Sequence, residues 1–224
     1  MKPITVLLAE DHRIVREGFR SLLKSETDIE VVGEAETGRQ AVQLTRKLRP
    51  AVVVMDIAMP LLNGLEATRQ IRKDLPATKV LILSAHGDDA YVEQAAALGG
   101  VGFLLKQTSS HELATAIREV EKGNTFFSPV IAKRVRDRSQ KALERGGNRR
   151  KSNQLSSREM EVLQLIAEGK PNKQVAEELG VSFKTVDKHR QHLMSKLDIH
   201  DVAGLTRYAI AEGIIESNVR VTIT

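Results

Sequence analysis

Polar side chains follow four of five short apolar runs in the first half of the chain. Glu10 and Asp11 follow the first run, Asp56 ends the third, Ser84 ends the fourth and Lys106 follows the fifth. If these runs are parallel strands, their carboxyl ends lie along one edge of a sheet, so we expect the five side chains to converge. Clustered carboxylates need a cation between them, and hard oxygen ligands suit Mg²⁺. One carboxylate could then accept a phosphoryl group whose oxygens the metal and the lysine neutralise, with a hydrogen bond from the serine hydroxyl.

Alternating sequence patterns predict the elements that would position these residues. Short apolar runs indicate strands, and hydrophobic residues between them recur at helical spacing. The predicted strands are Ile4–Ala9, Ile29–Ala35, Ala51–Asp56, Lys79–Ser84 and Val101–Leu105. The predicted helices are His12–Lys24, Gly38–Leu48, Gly64–Leu75, Asp89–Leu98 and Ser109–Lys122, the last opened by a Ser109/Glu112 capping pair. Five such units predict an α/β fold, a doubly wound five-stranded parallel sheet with helices on both faces.

Each polar residue taken singly has an ordinary structural explanation: Asp56 as a helix cap, Ser84 as a turn residue and Lys106 as a solvated tip. Their combination resembles the receiver domain of two-component response regulators, a flavodoxin-like fold. The residues that carry the resemblance are Glu10-Asp11, Asp56-Ile57-Ala58-Met59-Pro60 with Gly64, Ser84-Ala85 and Lys106. It covers about the first 125 residues, and one departure is Gln107, where many receivers have proline.

The receiver resemblance implies a role for each motif residue. Asp56 would accept a phosphoryl group from a sensor histidine kinase. The groups that would bind Mg²⁺ are Glu10, Asp11, Asp56 and the backbone carbonyl of Ala58. The residues that would move together as a switch are Ser84, Lys106 and Phe103, whose ring would turn inward on phosphorylation. These changes would alter the surface formed by the predicted helix Asp89–Leu98 and the last strand.

Capping and breaking residues predict a small all-α domain in the last third of the chain. Ser156 or Ser157 opens a first helix, and residues 169–172 (Gly-Lys-Pro-Asn) end it. Lys173–Leu179 forms a short second helix that stops at Gly180, and Ser182 caps a third helix over Phe183–Leu197. A fourth helix runs from about residue 201 to 212. The second and third helices, joined by a short turn, predict a helix-turn-helix.

Helical geometry separates two faces of the Phe183–Leu197 helix. The apolar face carries Val186, Leu193 and Leu197, and the polar face carries Lys184, Lys188, Gln191 and Ser195. The polar face could enter a DNA major groove, or it could be an ordinary solvated surface.

Motifs in this region resemble the LuxR-type DNA-binding domain over about residues 153–218. They include Leu155-Ser156-x-Arg158-Glu159, Asn172-Lys173-x-Val175-Ala176 and Thr185-Val186. With the receiver, the whole chain resembles a NarL/FixJ-type response regulator. By this resemblance the base-contacting residues are Lys188 and Gln191. The phosphate-contacting residues are Lys173, Lys184, Thr185 and Arg190. Asp187 is a departure, because an acid there repels phosphate unless it accepts from a cytosine amino group or pairs with Lys184 or Lys188.

Charge is concentrated between the two predicted domains. Residues 129–154 carry nine basic and two acidic residues, whereas the whole chain has a net charge of +5. This segment could be a solvated linker, a tether near DNA phosphates, or both. The predicted organisation is a receiver over 1–125, a basic linker over 126–152 that is partly helical at residues 129–144, and the DNA-binding domain over 153–224.

Composition excludes several classes of function. The chain has no cysteine, so thiol catalysis and disulfides are excluded, and its seven aromatic residues disfavour a base-stacking single-strand binder. The longest uncharged stretch has 12 residues, short of a membrane span, and no signal-peptide pattern is present, so we expect a cytoplasmic protein.

These observations predict a transcription regulator rather than an enzyme. We expect it to dimerise on phosphorylation, bind double-stranded promoter DNA and contact RNA polymerase. Two alternatives stay open: a phosphate sink in a phosphorelay, and a polymerase-docking module whose DNA binding is not gated by phosphorylation.

Overall fold

The computed structural model of this chain describes residues 2–85, 92, 94–95, 98, 101–107, 110–127, 131–132 and 155–215. The chain divides into two units, Met1–Arg149 and Arg150–Thr224. Among the described residues, no helix combines the length and apolar character that crossing a membrane requires.

The first unit contains one parallel five-stranded sheet. Its strands are β1 (Ile4–Ala9), β2 (Ile29–Ala35), β3 (Val52–Asp56), β4 (Lys79–Ser84) and β5 (Val101–Leu105). Its helices within the described residues are α1 (Arg13–Lys24), α2 (Gly38–Leu48), α3 (Gly64–Asp74) and α4 (Ser110–Glu121). The strand order is β2-β1-β3-β4-β5, which is the flavodoxin-like order. The predicted α/β fold is thus confirmed, although most of the predicted helix Asp89–Leu98, and Ser109 of the predicted cap, lie outside the described residues.

Alternation along the strands divides the core between the two faces of the sheet. Leu7 and Val53 face one hydrophobic cluster, which includes Ile71 of α3. Val6 and Val54 face the other, with side chains of α1 and α4. Because side chains of a strand alternate between faces, a sheet buried on both faces needs nearly continuous apolar strands. β3 meets this requirement, since all five of its residues are buried.

A short segment after α4 lies against β5 at the edge of the sheet. The backbone N–H of Phe103 donates to the carbonyl of Phe126 (2.7 Å), and Phe103 forms an isolated parallel bridge with Phe127. Ile131 is fully buried in the same cluster as Phe103. The packing of the first unit therefore continues into the segment predicted as the start of the linker. Residues 128–130 and 133–154, with most of the predicted linker helix, lie outside the described residues.

The second unit is helical in its described residues. Its helices are α5 (Ser157–Ala167), α6 (Asn172–Leu179), α7 (Phe183–Leu197) and α8 (Val202–Ala211). Ser156 forms a capping box with Glu159 at the start of α5, and Ser182 accepts a hydrogen bond from the Thr185 N–H at the start of α7. Gly180 ends α6 with a φ of 61°, a left-handed conformation that glycine adopts without strain. The predicted helix-turn-helix is confirmed.

Candidate functional site

Lys106 links two carboxylates at the carboxyl edge of the sheet. Its Nζ lies 2.8 Å from Glu10 Oε2 and 2.9 Å from Asp56 Oδ2. Both acidic side chains are only 3% exposed, and the lysine side chain is 15% exposed. The ends of β1, β3 and β5 thus bring these three residues together, as the order of the strands predicts.

Three carboxylate oxygens in this pocket are buried without a directed hydrogen bond: Glu10 Oε2, Asp11 Oδ1 and Asp56 Oδ2. Nitrogens of His12 and Lys106 lie within 2.9 Å of these oxygens, but at angles that do not make a hydrogen bond. Glu10, Asp11, His12 and Asp56 each offer one ligand atom, and these atoms lie within 4.8 Å of one another. Buried, under-satisfied carboxylate oxygens fit a hard divalent cation such as Mg²⁺. We name this set, with Lys106, the acidic pocket.

Electrostatics in the acidic pocket make ionisation of Asp56 more costly than in water. Burial, followed by the nearby Glu10 carboxylate, raises the pKa of Asp56 to about 6, although Lys106 acts in the opposite direction. Burial alone would lower the pKa of Lys106, but the Asp56 and Glu10 carboxylates raise it above its ordinary value. The lysine is therefore a cation at neutral pH, and the cluster still carries excess negative charge that a bound cation would relieve.

The loop after β3 holds its backbone close to Asp56. A Cβ at Gly64 would lie 1.8 Å from the Asp56 carbonyl oxygen, so only glycine allows this approach. Asn63 caps α3 by accepting a hydrogen bond from the Glu66 N–H (2.9 Å). The backbone hydrogen bonds within the loop use the carbonyls of Ile57 and Pro60, so the predicted metal-binding carbonyl of Ala58 is outside this network.

Ser84 and Phe103 differ in their relation to the acidic pocket. Ser84 is buried at the end of β4, next to β3, and its carbonyl accepts a hydrogen bond from the Lys106 N–H (2.8 Å). Phe103 is fully buried in the hydrophobic cluster. The ring is therefore already inside in this structure, whereas the switch hypothesis starts from an outward ring. Gln107 donates from Nε2 to the Ala85 carbonyl (3.3 Å), which connects the ends of β4 and β5.

Two residues of this region were missed by the sequence analysis. Arg16 is only 6% exposed and donates to the Glu10 carbonyl (2.7 Å), Glu36 Oε1 (2.6 Å) and Glu34 Oε2 (3.2 Å). It thereby fixes the backbone at the end of β1 against the end of β2. His12 Nδ1 lies 2.8 Å from Asp11 Oδ1, and the Asp11 carboxylate is the main cause of the raised pKa of His12. His12 directly follows the Glu10-Asp11 pair in the sequence, and this adjacency was the signal by which it could have been recognised as part of the site.

The outward face of α7 forms an open groove lined by Ser182, Lys184, Thr185, Lys188, His189 and His192. Val186 and Leu193 are fully buried on the opposite side, as the helical periodicity predicts. Among the described residues, neither Lys184 nor Lys188 forms an ion pair. Lys173, near the start of α6, is also exposed. The outward face of α7 thus presents two lysines without an ion pair among the described residues, and the structure adds His192 to the residues considered from sequence.

Asp187 has a partner that the sequence analysis did not consider. Gln191 Nε2 donates to Asp187 Oδ2 (3.1 Å) one helical turn along α7. In the described structure this bond replaces the proposed pairing of Asp187 with a lysine. Arg190 donates to Asn172 Oδ1 (3.1 Å), so the guanidinium connects α7 to α6. The Thr185 hydroxyl shares a hydrogen bond with the Ser182 hydroxyl (2.9 Å), so three predicted DNA-contacting side chains have intramolecular hydrogen bonds.

Comparisons with known proteins agree with both halves of the chain. Residues 6–118 match the response regulator receiver domain, and residues 153–209 match the luxR family of bacterial regulatory proteins. The chain is 37% identical over 213 residues to the response regulator protein VraR of Staphylococcus aureus (strain NCTC 8325 / PS 47), covering 95% of this chain and 99% of VraR.

Solved structures of similar proteins cover both units. The response regulator ChrA of a heme-sensing two-component system has 32% identity and a TM-score of 0.52, covering 96% of this chain and 100% of that chain. RcsB from Salmonella enterica serovar Typhimurium, bound to promoter rprA in the presence of phosphomimetic BeF3⁻, has 26% identity and a TM-score of 0.57, covering 92% and 98%. A second structure, of two RcsB dimers bound to two parallel DNAs, has 27% identity and a TM-score of 0.56, with the same coverage. The chain belongs to the response regulators of two-component systems, with a receiver domain followed by a LuxR-type DNA-binding domain.

Proposed function

We propose that Mg²⁺-dependent phosphorylation of Asp56 by a sensor histidine kinase controls dimerisation and sequence-specific binding of this protein to promoter DNA. The observation that carries the proposal is the buried Asp56 carboxylate in ion-pair contact with Lys106, beside two further acids with under-satisfied oxygens. A structural aspartate would be expected to have its oxygens hydrogen-bonded. The unsatisfied oxygens support a pocket built for additional ligands.

The reaction transfers a phosphoryl group from a kinase histidine to Asp56. The P–N bond breaks and its electrons return to the imidazole, while a carboxylate oxygen of Asp56 forms the new P–O bond. Glu10, Asp11, Asp56 and the Ala58 carbonyl would hold Mg²⁺, which supplies positive charge against the phosphoryl oxygens. Lys106 contributes a second positive charge while it remains protonated.

The order of the strands supports the remaining receiver assignment. Ser84 ends the strand next to Asp56, so its hydroxyl would donate to a phosphoryl oxygen. Lys106 would move toward the same group and exchange part of its contact with Asp56 for one with phosphate. Because Phe103 lies three residues before Lys106 on β5, displacement of the lysine would be transmitted to the ring and to the surface beside it.

In the second unit, the exposed face of α7 would enter the DNA major groove. Lys188 would contact base edges, and Gln191 would do so after exchanging its bond to Asp187. The expected phosphate contacts are Lys173, Lys184, Thr185 and Arg190. The RcsB structures with DNA support this use of a similar domain, and the DNA-bound dimers of that relative support dimeric binding. Contact with RNA polymerase belongs to the same proposal.

The test measures phosphorylation, association and DNA capture together. Purified full-length protein is incubated with acetyl phosphate, with or without Mg²⁺, and then with genomic DNA fragments, using Asp56→Asn as the control. We expect a hydroxylamine-labile phosphoryl group, a rise in dimer mass and enrichment of a shared repeat, all only in wild type with Mg²⁺. Equal capture under every condition would refute gating by Asp56 and favour the phosphate-sink or polymerase-docking alternative.

A further inference from the structure

His12 is a nitrogen donor at the mouth of a pocket otherwise built from oxygen. Its side chain is 64% exposed, yet its Nδ1 points at the acids: it lies 2.8 Å from Asp11 Oδ1 and 3.2 Å from Glu10 Oε1. The backbone N–H of His12 also donates to Glu10 Oε1 (3.2 Å), which holds the residue against the end of β1.

These distances match the spacing of neighbouring ligands around one metal ion. In an octahedral site with metal–ligand bonds of about 2.1 Å, adjacent ligand atoms lie about 3.0 Å apart. The separations of His12 Nδ1 from Asp11 Oδ1 and Glu10 Oε1 bracket this value. Asp56 completes a set of four residues whose ligand atoms lie within 4.8 Å of one another. The buried oxygens of Glu10, Asp11 and Asp56 that accept no hydrogen bond independently indicate a pocket suited to a cation.

We propose that His12 Nδ1 is a ligand of the divalent cation in the acidic pocket, so that the pocket favours an imidazole-accepting first-row ion such as Co²⁺ or Ni²⁺ over Mg²⁺ more than an all-oxygen site would. This inference rests on the metal-binding role proposed above for Asp11 and Asp56. Its physical basis is ligand softness: imidazole suits the later first-row transition ions, whereas Mg²⁺ prefers oxygen and retains its waters.

The test compares metal preference in the full-length protein. Calorimetric titrations with MgCl2 and CoCl2 are run on wild type, His12→Ala, and His111→Ala as a matched removal of an exposed histidine outside the pocket. We expect His12→Ala to lose at least about tenfold in Co²⁺ affinity while its Mg²⁺ affinity changes less than about twofold. His111→Ala should keep both affinities. An unchanged Co²⁺-to-Mg²⁺ preference in His12→Ala would overturn the inference.

Spectroscopy gives a direct readout that does not depend on affinity. With Mn²⁺ bound, pulsed electron paramagnetic resonance should detect imidazole ¹⁴N coupling in wild type and in His111→Ala, but not in His12→Ala. Retention of the coupling in His12→Ala would overturn the inference.

Asp11→Asn separates this inference from the proposed function. Loss of Mg²⁺ binding in Asp11→Asn, combined with an unchanged metal preference in His12→Ala, would refute only the role of His12. Full Mg²⁺ affinity in Asp11→Asn, or absence of divalent-cation binding in wild type, would refute the acidic pocket as the metal site and the inference with it.

Discussion

Replacement of Asp56 by asparagine should stabilise the receiver unit at neutral pH. Burial and the Glu10 carboxylate raise the pKa of Asp56 from 3.8 to about 6. A raised folded-state pKa means that the native state retains a proton that the unfolded chain releases, so stability falls as pH rises from about 4 through about 6. At about 1.4 kcal/mol per pH unit, the cost of ionising Asp56 in the native state approaches 3 kcal/mol above pH 7.

Asparagine has the shape of the protonated carboxyl group and no charge to bury. We therefore expect Asp56→Asn to raise the free energy of unfolding by about 2–3 kcal/mol at pH 7.5 in EDTA, with the difference vanishing near pH 4. Urea unfolding followed by circular dichroism gives the free energy at each pH. Hydrogen exchange of the β3 amides assigns the change to the receiver unit. Saturating Mg²⁺ should reduce the difference, because it stabilises wild type more than the variant.

Asp28→Asn is the matched control with the opposite sign. A hydrogen bond from Arg118 lowers the pKa of Asp28, so this carboxylate contributes stability above its unfolded-state pKa and loses it as pH falls. Asp28→Asn should therefore destabilise the protein at neutral pH and leave its stability unchanged in acid. A stability gain in Asp56→Asn that is equal at pH 4.5 and 8, or a loss at neutral pH, would refute the electrostatic reasoning.

Four further substitutions have defined outcomes. Leu61→Gly should raise the free energy of unfolding by about 1 kcal/mol in urea titrations, because Leu61 has a φ of 68° in the left-handed region; a loss would show that the side chain outweighs the strain. Lys188→Ala should relax base preference in binding-site selection, whereas Lys173→Ala should weaken all sites alike and reduce the salt slope by about one; equal behaviour would contradict this division of contacts. Lys196→Met removes the Nζ that lies 2.6 Å from Oε2 of the buried Glu159. We expect this substitution to lower the free energy of unfolding by about 1 kcal/mol at pH 7. Because the pKa of Glu159 is lowered, this loss of stability should shrink as pH falls below about 4.5. Thermal unfolding measured across pH tests this, and a loss of stability that stayed constant with pH would contradict the prediction.

The fold could be predicted because local signals and the global topology agree. Strands buried on both faces give continuous apolar runs such as residues 52–55, and the helices between them begin at capping residues such as Thr37 and Asn63. Four of the five strands, all but β3, and the helices Gly38–Leu48 and Phe183–Leu197 have the predicted bounds. The other described helices and β3 differ by a residue or two at their ends, where caps are counted differently.

The composition of the acidic pocket could be predicted, but its internal contacts could not. Parallel strands bring their carboxyl ends together, so the positions of Glu10, Asp56 and Lys106 follow from topology. The role of Arg16 does not follow from topology, because in the sequence Arg16 looks like any charged residue of an amphipathic helix. Its partners Glu34 and Glu36 are 18 and 20 residues away and meet it only after β2 pairs with β1.

The partner of Asp187 shows a second limit of sequence reasoning. On a helix, Asp187 can reach residues three or four positions away in either direction, which includes both Lys184 and Gln191. The structure has the bond to Gln191, and Lys184 and Lys188 are exposed. Weak exposed interactions of similar energy cannot be ranked from residue spacing, because side-chain entropy and solvation decide among them.

The segment after α4 determines where an isolated receiver could be cut. β5 is the outer strand of the sheet, and the pairing of Phe103 with Phe126 and Phe127 covers part of its open side. A fragment ending at residue 125 would leave that Phe103 N–H unpaired and remove the buried Ile131 from the core. Exposed strand edges invite pairing with other chains, so this fragment should self-associate, and one extending through Ala132 should remain monomeric in light-scattering measurements. By this reasoning, the residues that begin the connection to the DNA-binding unit should also protect the receiver against aggregation.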